Sequence, residues 1–339
     1  MENINAITNS ITIAYLTCRK DPKIEWFFYS LNRELKGNWN DINIIIVDYW
    51  IQFDNDNERK QQLKEIYNHF ISDEKIIHIS PKPTPLQGKY KVSNSNYFCA
   101  SNARNTAFIH CKTDYIACID DLTVIKEGWL EVVRWGQLNN YIVCGSYAKV
   151  KKINVDEHGN YTFDEASLQL GLDSRFNHVS INNDFSTKVS GSWLYGCSFA
   201  LPLSLALTID GFDEACNGIG AEDYDFGIRL NRITTEIYYS KQMFSYEDED
   251  LHFTKDNTKF IRNSKLLTEN TTMKSKIGIM SDHALLQNVL HSNSSQPYIP
   301  SHLNIIRNSI QNNTFNINEY IKEFSNLRDW VDGTLYSDM

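Results

Sequence analysis

What the chain lacks narrows its class first. It has no basic surplus: 33 lysines and arginines face 42 aspartates and glutamates, for a net charge of −9. Phosphate-backbone binding needs a basic face, so nucleic acid is excluded as a partner. It has no Cys-x-x-Cys pair. The seven cysteines (18, 99, 111, 118, 144, 197 and 216) are odd in number and lack metal-ligand spacing, which points to free thiols in a reducing compartment. No apolar run reaches the roughly 20 residues that cross a bilayer, and the longest, around 196–207, is broken by Pro202. The polar stretch Met1–Ser10 has no apolar core, so no signal peptide is expected and a cytoplasmic location is. Internal repeats and low-complexity tracts are absent.

What is present supports a substantial core. Hydrophobic residues make up 42% of 339, with many Tyr, Phe and Trp, enough for one large domain or two modest ones. Strand patterns at 10–17, 42–47 and 75–79 alternate with helical patterns at 24–35 and 55–70. That β-α-β-α-β order, with the β-branched run 42–47, predicts buried parallel strands in a right-handed α/β unit. Further helices are expected at 96–110, 127–138, 202–209 and 222–231, and strands at 115–119, 141–151, 192–200 and 235–240. Residues 152–190 read as a hairpin, turning at 157–160, and an irregular loop. After about 260 the composition turns to Ser, Thr and Asn, with apolar helical stripes at 284–290 and 317–335. The expected division is a catalytic domain over 1–260 and a helical extension over 261–339.

Two acid pairs stand out. Asp120-Asp121 ends the apolar run Tyr115–Ile119, and Glu222-Asp223 opens a helix after Gly211-Phe-Asp-Glu214 and a glycine-broken turn. Carboxylates at the end of a central strand sit where open α/β sheets bind ligands, and their oxygens suit Mg²⁺ or Mn²⁺. Asp121 reads alternatively as a helix N-cap. Asp223 lies where the helix dipole favours a charged carboxylate, the form that accepts a proton. Asp225, four residues before Arg229, reads as half of a surface pair.

The acid pair followed by Gly128-Trp129-Leu130, then Gly-Phe-Asp-Glu before Ala221-Glu-Asp, resembles the inverting glycosyltransferases of the GT-A fold. The nearest patterns are glycosyltransferase family 2 and the C-terminal motif of the galactosyltransferase and chondroitin-polymerase type. The likeness runs over about residues 10–255. It implies a Rossmann-like mixed sheet flanked by helices and a UDP-sugar donor. It also implies a divalent metal and a glycan, glycoprotein or glycolipid acceptor, with a homodimer through the C-terminal helices as a further expectation.

The resemblance places Thr17 and Arg19 at the nucleotide, Asp48 at the uracil ring, Arg104 beside the diphosphate and Asp120 towards ribose. Asp121 and His252 would hold the metal. Asp223 would be the base, Glu222 would contact the acceptor, and Trp193 and Gly196 would lie near the sugars. Arg104 reads equally as a solvated helix charge, Trp193 as core, and His252 as a histidine without a role in an acidic stretch. The third position of the DxD element is Leu122 rather than an acid. The segment after the first strand, Thr17-Cys-Arg-Lys-Asp21, lacks the glycines of sugar-phosphate nucleotidyltransferases. A retaining transferase and a non-catalytic carbohydrate-binding protein on a degenerate transferase fold are the remaining alternatives.

Overall fold

A computed structural model describes residues 10–52, 56–84, 87–92, 99–178, 185–214, 222–252 and 302–322. The β-branched runs become the centre of a mixed nine-stranded sheet. Its strands are β1 (Ile11–Thr17), β2 (Ile42–Asp48), β3 (Ile76–Ile79), β4 (Tyr115–Asp120), β5 (Thr123–Ile125), β6 (Ile142–Val150), β9 (Thr187–Lys188), β10 (Ser198–Pro202) and β11 (Ile237–Asp248), with β7 (Asn154–Val155) and β8 (Tyr161–Thr162) forming a separate hairpin. The order is β3-β2-β1-β4-β10-β6-β11-β5, with β9 beside β11. β1, β2, β3 and β4 run parallel, β10 lies antiparallel between β4 and β6, and β11 runs parallel to β6.

Two apolar layers cover the sheet, and the period-2 alternation of β1 shows why both are needed. Ile11, Ile13 and Tyr15 face one layer with Phe27, Phe28 and Leu31 of α1 (Ile24–Leu35) and Trp129 of α4 (Trp129–Asn139). Ala14 and Leu16 face the other, with Phe108 of α3 (Ala100–His110) and Phe226 of α8 (Glu222–Asn231). Phe212 is the hub of this second layer. Its ring lies 3.9 Å from that of Phe226 and 6.0 Å from those of Phe108 and Phe199. The remaining early helix, α2 (Asp56–Tyr67), presents Leu63 and Tyr67 to the first layer.

Several elements differ from the sequence expectation. Residues 192–200 are not one strand: a single helical turn, Gly191–Trp193, precedes β10. Gly191 is pressed against Gly227 of α8, where an added Cβ would stand 1.8 Å from a backbone oxygen, so this stretch packs on a helix before it can join the sheet. Pro202 closes β10 instead of opening α7 (Leu203–Thr208). The last strand runs on to Asp248, with a bulge between Ser240 and Phe244.

The hairpin at 157–160 forms as expected, with Asp156 Oδ1 accepting from the amides of His158 and Asn160. Two short helices then follow that the polar composition hides, α5 (Glu165–Gly171) and α6 (Arg175–His178). Asp225 and Arg229 do pair, at 2.8 Å, but buried and not at the surface. Their neighbours Phe226 and Leu230 draw that face of α8 into the core.

Near the C-terminus, helix Leu303–Gln311 sets Leu303 and Ile306 against the second apolar layer. Helix Ile317–Lys322 brings Tyr320 to Lys82 at 3.0 Å. The stripe at 284–290 and the rest of 317–335 lie outside the described residues.

Replacing Phe212 by alanine removes the hub ring and the surface under Arg104, whose guanidinium carbon lies 5.2 Å from the ring centre. A loss of about 3–5 kcal/mol is expected. Equilibrium denaturant unfolding measures it, and a loss below about 1 kcal/mol would deny Phe212 this role.

Candidate active site

A cleft opens at the carboxyl ends of β1 and β4. The turn Tyr195–Cys197, the start of α8, the end of β11 and the short helix α9 (Glu249–His252) complete its walls. Asp120 and Asp121, at the end of β4, share it with Glu222 and Asp223 of α8. The two acid stations, a hundred residues apart in the chain, thus meet in one site.

Arg104 of α3 joins them. Its Nη1 donates to Glu222 Oε1 at 3.0 Å and its Nη2 to Asp120 Oδ1 at 3.2 Å. The side chain is only 3% exposed, so it is no solvated helix charge. Burial works against its charge, yet Asp120, Glu222 and Asp223 outweigh that and raise its pKa. Gly196 leaves room for it, since a Cβ there would stand 2.2 Å from Nη2.

The acids respond unequally. Burial first, then the adjacent Asp223, push Glu222 up to about 7 against the pull of Arg104. Its Oε2 has no hydrogen-bond partner among the described residues. Asp120 is also raised, to about 6, by burial and then by Glu247, Asp121 and Asp223 crowding it, with Arg104 opposing. Asp223 is half-buried, its Oδ2 accepting from the Gly196 amide at 2.9 Å and its Oδ1 from the Tyr224 amide at 2.8 Å.

Asp121 is committed differently. Thr17 Oγ1 donates to its Oδ2 at 2.7 Å and Arg19 Nε to its Oδ1 at 3.1 Å. Arg19 continues to His252, with Nη2 3.2 Å from Nδ1 and Nη1 donating to the His252 carbonyl at 3.1 Å. His252 Nδ1 also lies 2.7 Å from Glu247 Oε1. Burial alone would raise Glu247, but the bond from His252, with Lys149 and Arg19, holds it at about 2.

The expected metal pair, Asp121 and His252, is therefore bridged by a buried guanidinium. Among the described residues no group of three or more His, Cys, Asp or Glu is arranged to hold a metal ion. The donor set does not fit the divalent cation expected of it. Leu122, where an acid was missing, is fully buried at a positive φ of 59°, its amide donating to the Pro22 carbonyl. That position turns into the core, away from the cleft.

Asp48 is not among the cleft residues. It is fully buried, accepting from Arg59 Nε at 2.7 Å and from the Trp50 amide at 2.9 Å, with His78 Nε2 at 3.1 Å. Arg59 ties this cluster to the carbonyls of Arg19 and Lys20, so Asp48 supports the loop after β1 from behind. Trp193 is also outside the lining, its ring packed edge-on against Tyr239 at 5.3 Å.

The aromatic groups that do line the cleft are Tyr147 and Tyr195, joined by Lys149 and Glu247. Sequence reasoning missed all four. The signal for two of them was the period of β6, where Tyr147 and Lys149 are the partly exposed alternate positions of an otherwise buried strand. Glu247 pairs in register with Lys149 across the sheet.

Glu222 and Asp120 carry folded-state values above 4.5 and 3.8. Folded protein therefore keeps protons, in the window from about 4 to about 7, that the unfolded chain releases, and stability falls as pH rises through it. The denaturation midpoint is expected to drop between about pH 5 and about pH 7, and Glu222→Gln to flatten that slope. An unchanged slope in the variant would show that Glu222 is not the group titrating. Glu247, held low, acts with the opposite sign and only in more acid solution.

No protein family model matches the chain, and no curated protein matches it. Among solved structures, S. aureus TarS is similar at a TM-score of 0.47 and 13% identity, over 70% of this chain and 36% of that one. TarS 1–349 in complex with UDP-GlcNAc gives 0.47 and 13%, over 71% and 58%. TarS 1–349 alone gives 0.48 and 12%, over 96% and 93%. The chain thus spans about a third of the TarS chain it matches there.

Proposed function

We propose that this protein is a glycosyltransferase that moves a sugar from a nucleoside-diphosphate sugar, a UDP-sugar, to a hydroxyl of a glycan or glycoconjugate with inversion. The observation that carries the reading is the Arg104 bridge, which sets Asp120 and Glu222 on one guanidinium inside one cleft. Neither acid pair points to transfer chemistry alone. Brought together, they offer a leaving-group side and a proton-accepting side.

Asp223 is the base. It is open to the cleft, and its carboxylate is oriented by two backbone amides. It takes the acceptor's hydroxyl proton as that oxygen attacks the anomeric carbon. The new glycosidic bond forms as the bond to the diphosphate breaks on the opposite face, and the electron pair leaves with the diphosphate. A single displacement inverts the centre. Glu222 offers to the acceptor its Oε2, which has no partner among the described residues. Burial and the adjacent Asp223 raise its pKa, which favours the protonated form that can donate to a hydroxyl.

Around the diphosphate the cleft supplies Arg104 and Lys149, while Arg19 holds Asp121. The Mn²⁺ or Mg²⁺ expected at Asp121 and His252 has no part in this scheme, because Arg19 spans the two.

UDP release from a panel of UDP-sugars, with and without acceptor glycans, tests the reading. Asp223→Asn is expected to cut the rate by at least about a hundredfold while UDP affinity stays within about threefold. A wild type that neither binds UDP nor releases it from any donor would sink the transferase reading. Full activity in Asp223→Asn would sink the assignment of the base alone.

A further inference from the structure

Arg175 stands outside the cleft, in the stretch 152–190 that matches no motif, yet it is almost fully engaged. It is 5% exposed. Its Nε donates to both oxygens of Asp173, at 3.0 and 2.9 Å, and its Nη2 to Asp173 Oδ2 at 2.6 Å and the Gly145 carbonyl at 2.8 Å. Its Nη1 donates to the Trp193 carbonyl. The guanidinium carbon lies 3.6 Å from the centre of the Tyr195 ring and 5.2 Å from that of Tyr239. One planar fork therefore joins α6, β6, β11 and the turn 191–197. A lysine could neutralise Asp173 but not hold both carbonyls and the ring.

The same turn is fastened on its other side to α8. Gly191 and Gly227 meet backbone to backbone, each leaving no room for a Cβ on the other. The Gly191 amide donates to Asn231 Oδ1 at 2.6 Å. At the cleft end, the Gly196 amide donates to Asp223 Oδ2. Moving Trp193 or Tyr195 would therefore move one of the two amides that orient Asp223, the one on Oδ2.

We infer that Arg175 is a positioning residue, which holds the Tyr195–Gly196 wall of the cleft and through the Gly196 amide fixes the carboxylate of Asp223. Its importance for turnover rests on the proposed function; its grip on Asp223 does not. Asp173 and Arg175 leave the ion pair buried, so removing one partner strands a charge in the interior. The test therefore uses Arg175→Lys, the double variant Asp173→Asn/Arg175→Met, which removes both charges, and Tyr195→Leu, which removes only the ring.

Hydrogen exchange of the Gly196 amide is followed by NMR on uniformly 15N-labelled protein, beside UDP release from UDP-N-acetylglucosamine and other UDP-sugars. In the folded variants, Gly196 exchange is expected to rise at least about tenfold while amides of β1 and β4 keep their protection. The rate of UDP release is expected to fall at least about tenfold with donor KM within about threefold. Unchanged Gly196 exchange in Tyr195→Leu and in the double variant overturns the inference, as does a wild-type rate and pH profile in Arg175→Lys. If Gly196 exchange responds but wild type releases no UDP from any donor, the positioning of Asp223 stands and the transferase reading falls.

Discussion

The site depends on one buried cation. Arg104 is held in the interior by Asp120 and Glu222 and lies over the Phe212 ring. Burying a guanidinium is costly unless its charge is met, and breaking such a pair leaves an uncompensated charge that costs several kcal/mol. Here the compensation comes from two acids on different elements, β4 and α8. The arrangement therefore fixes the distance between these elements as firmly as any apolar contact could. It also explains why Gly196 lacks a side chain, because the space a Cβ would need is taken by Arg104 Nη2.

Charge in the cleft is deliberately unbalanced. Among the described residues, Asp120, Asp121, Glu222, Asp223 and Glu247 face Arg19, Arg104, Lys149 and His252. The excess is not shared evenly. Asp121 takes Arg19 and Glu247 takes His252 and Lys149, so these acids are satisfied. Asp120 and Glu222 divide one arginine between them and are left with raised pKa values. The unequal pairing separates Asp121 and Glu247, each tied to its own cation, from Asp120 and Glu222, which share Arg104.

How much of this was legible in the sequence follows from the range of the interactions involved. Most of the alternating strands and helices up to Leu138 were readable because local period sets them, the three-residue β5 being the exception: α1 falls at 24–35 as the stripe Ile24, Phe27, Phe28, Leu31 and Leu35 requires. The two acid stations were readable as pairs on strand and helix ends. Their partners were not. Arg19 looked like a loop residue facing a nucleotide, and only the folded chain brings it against Asp121 and His252, 102 and 233 residues away. Arg59 sits in a helix whose composition reads as solvated, yet it closes on Asp48 behind the cleft. Charged residues that end up buried carry no local signal, because their environment is made entirely by distant segments.

The Gly211-Phe-Asp-Glu motif shows the same limit from the other side. In the sequence it is part of the family-like pattern that leads to the second acid pair, and in the fold its own residues work as structure. Phe212 is the hub of an apolar layer, and its amide donates to Asn105 Oδ1 at 2.8 Å. Glu214 accepts from Asn105 Nδ2 at 2.8 Å and from the buried Lys82, which also reaches Tyr320 of the C-terminal helix. Burial would lower Lys82, but Glu214 and then Tyr320 reverse that and raise it, so the amine stays charged. The motif thus anchors α3, which carries Arg104, and the C-terminal helix at one point. A charged network that is fully buried is cheap only when every member is present. Helix Ile317–Lys322 reaches this network only through the half-buried Tyr320, and none of its described residues lines the cleft.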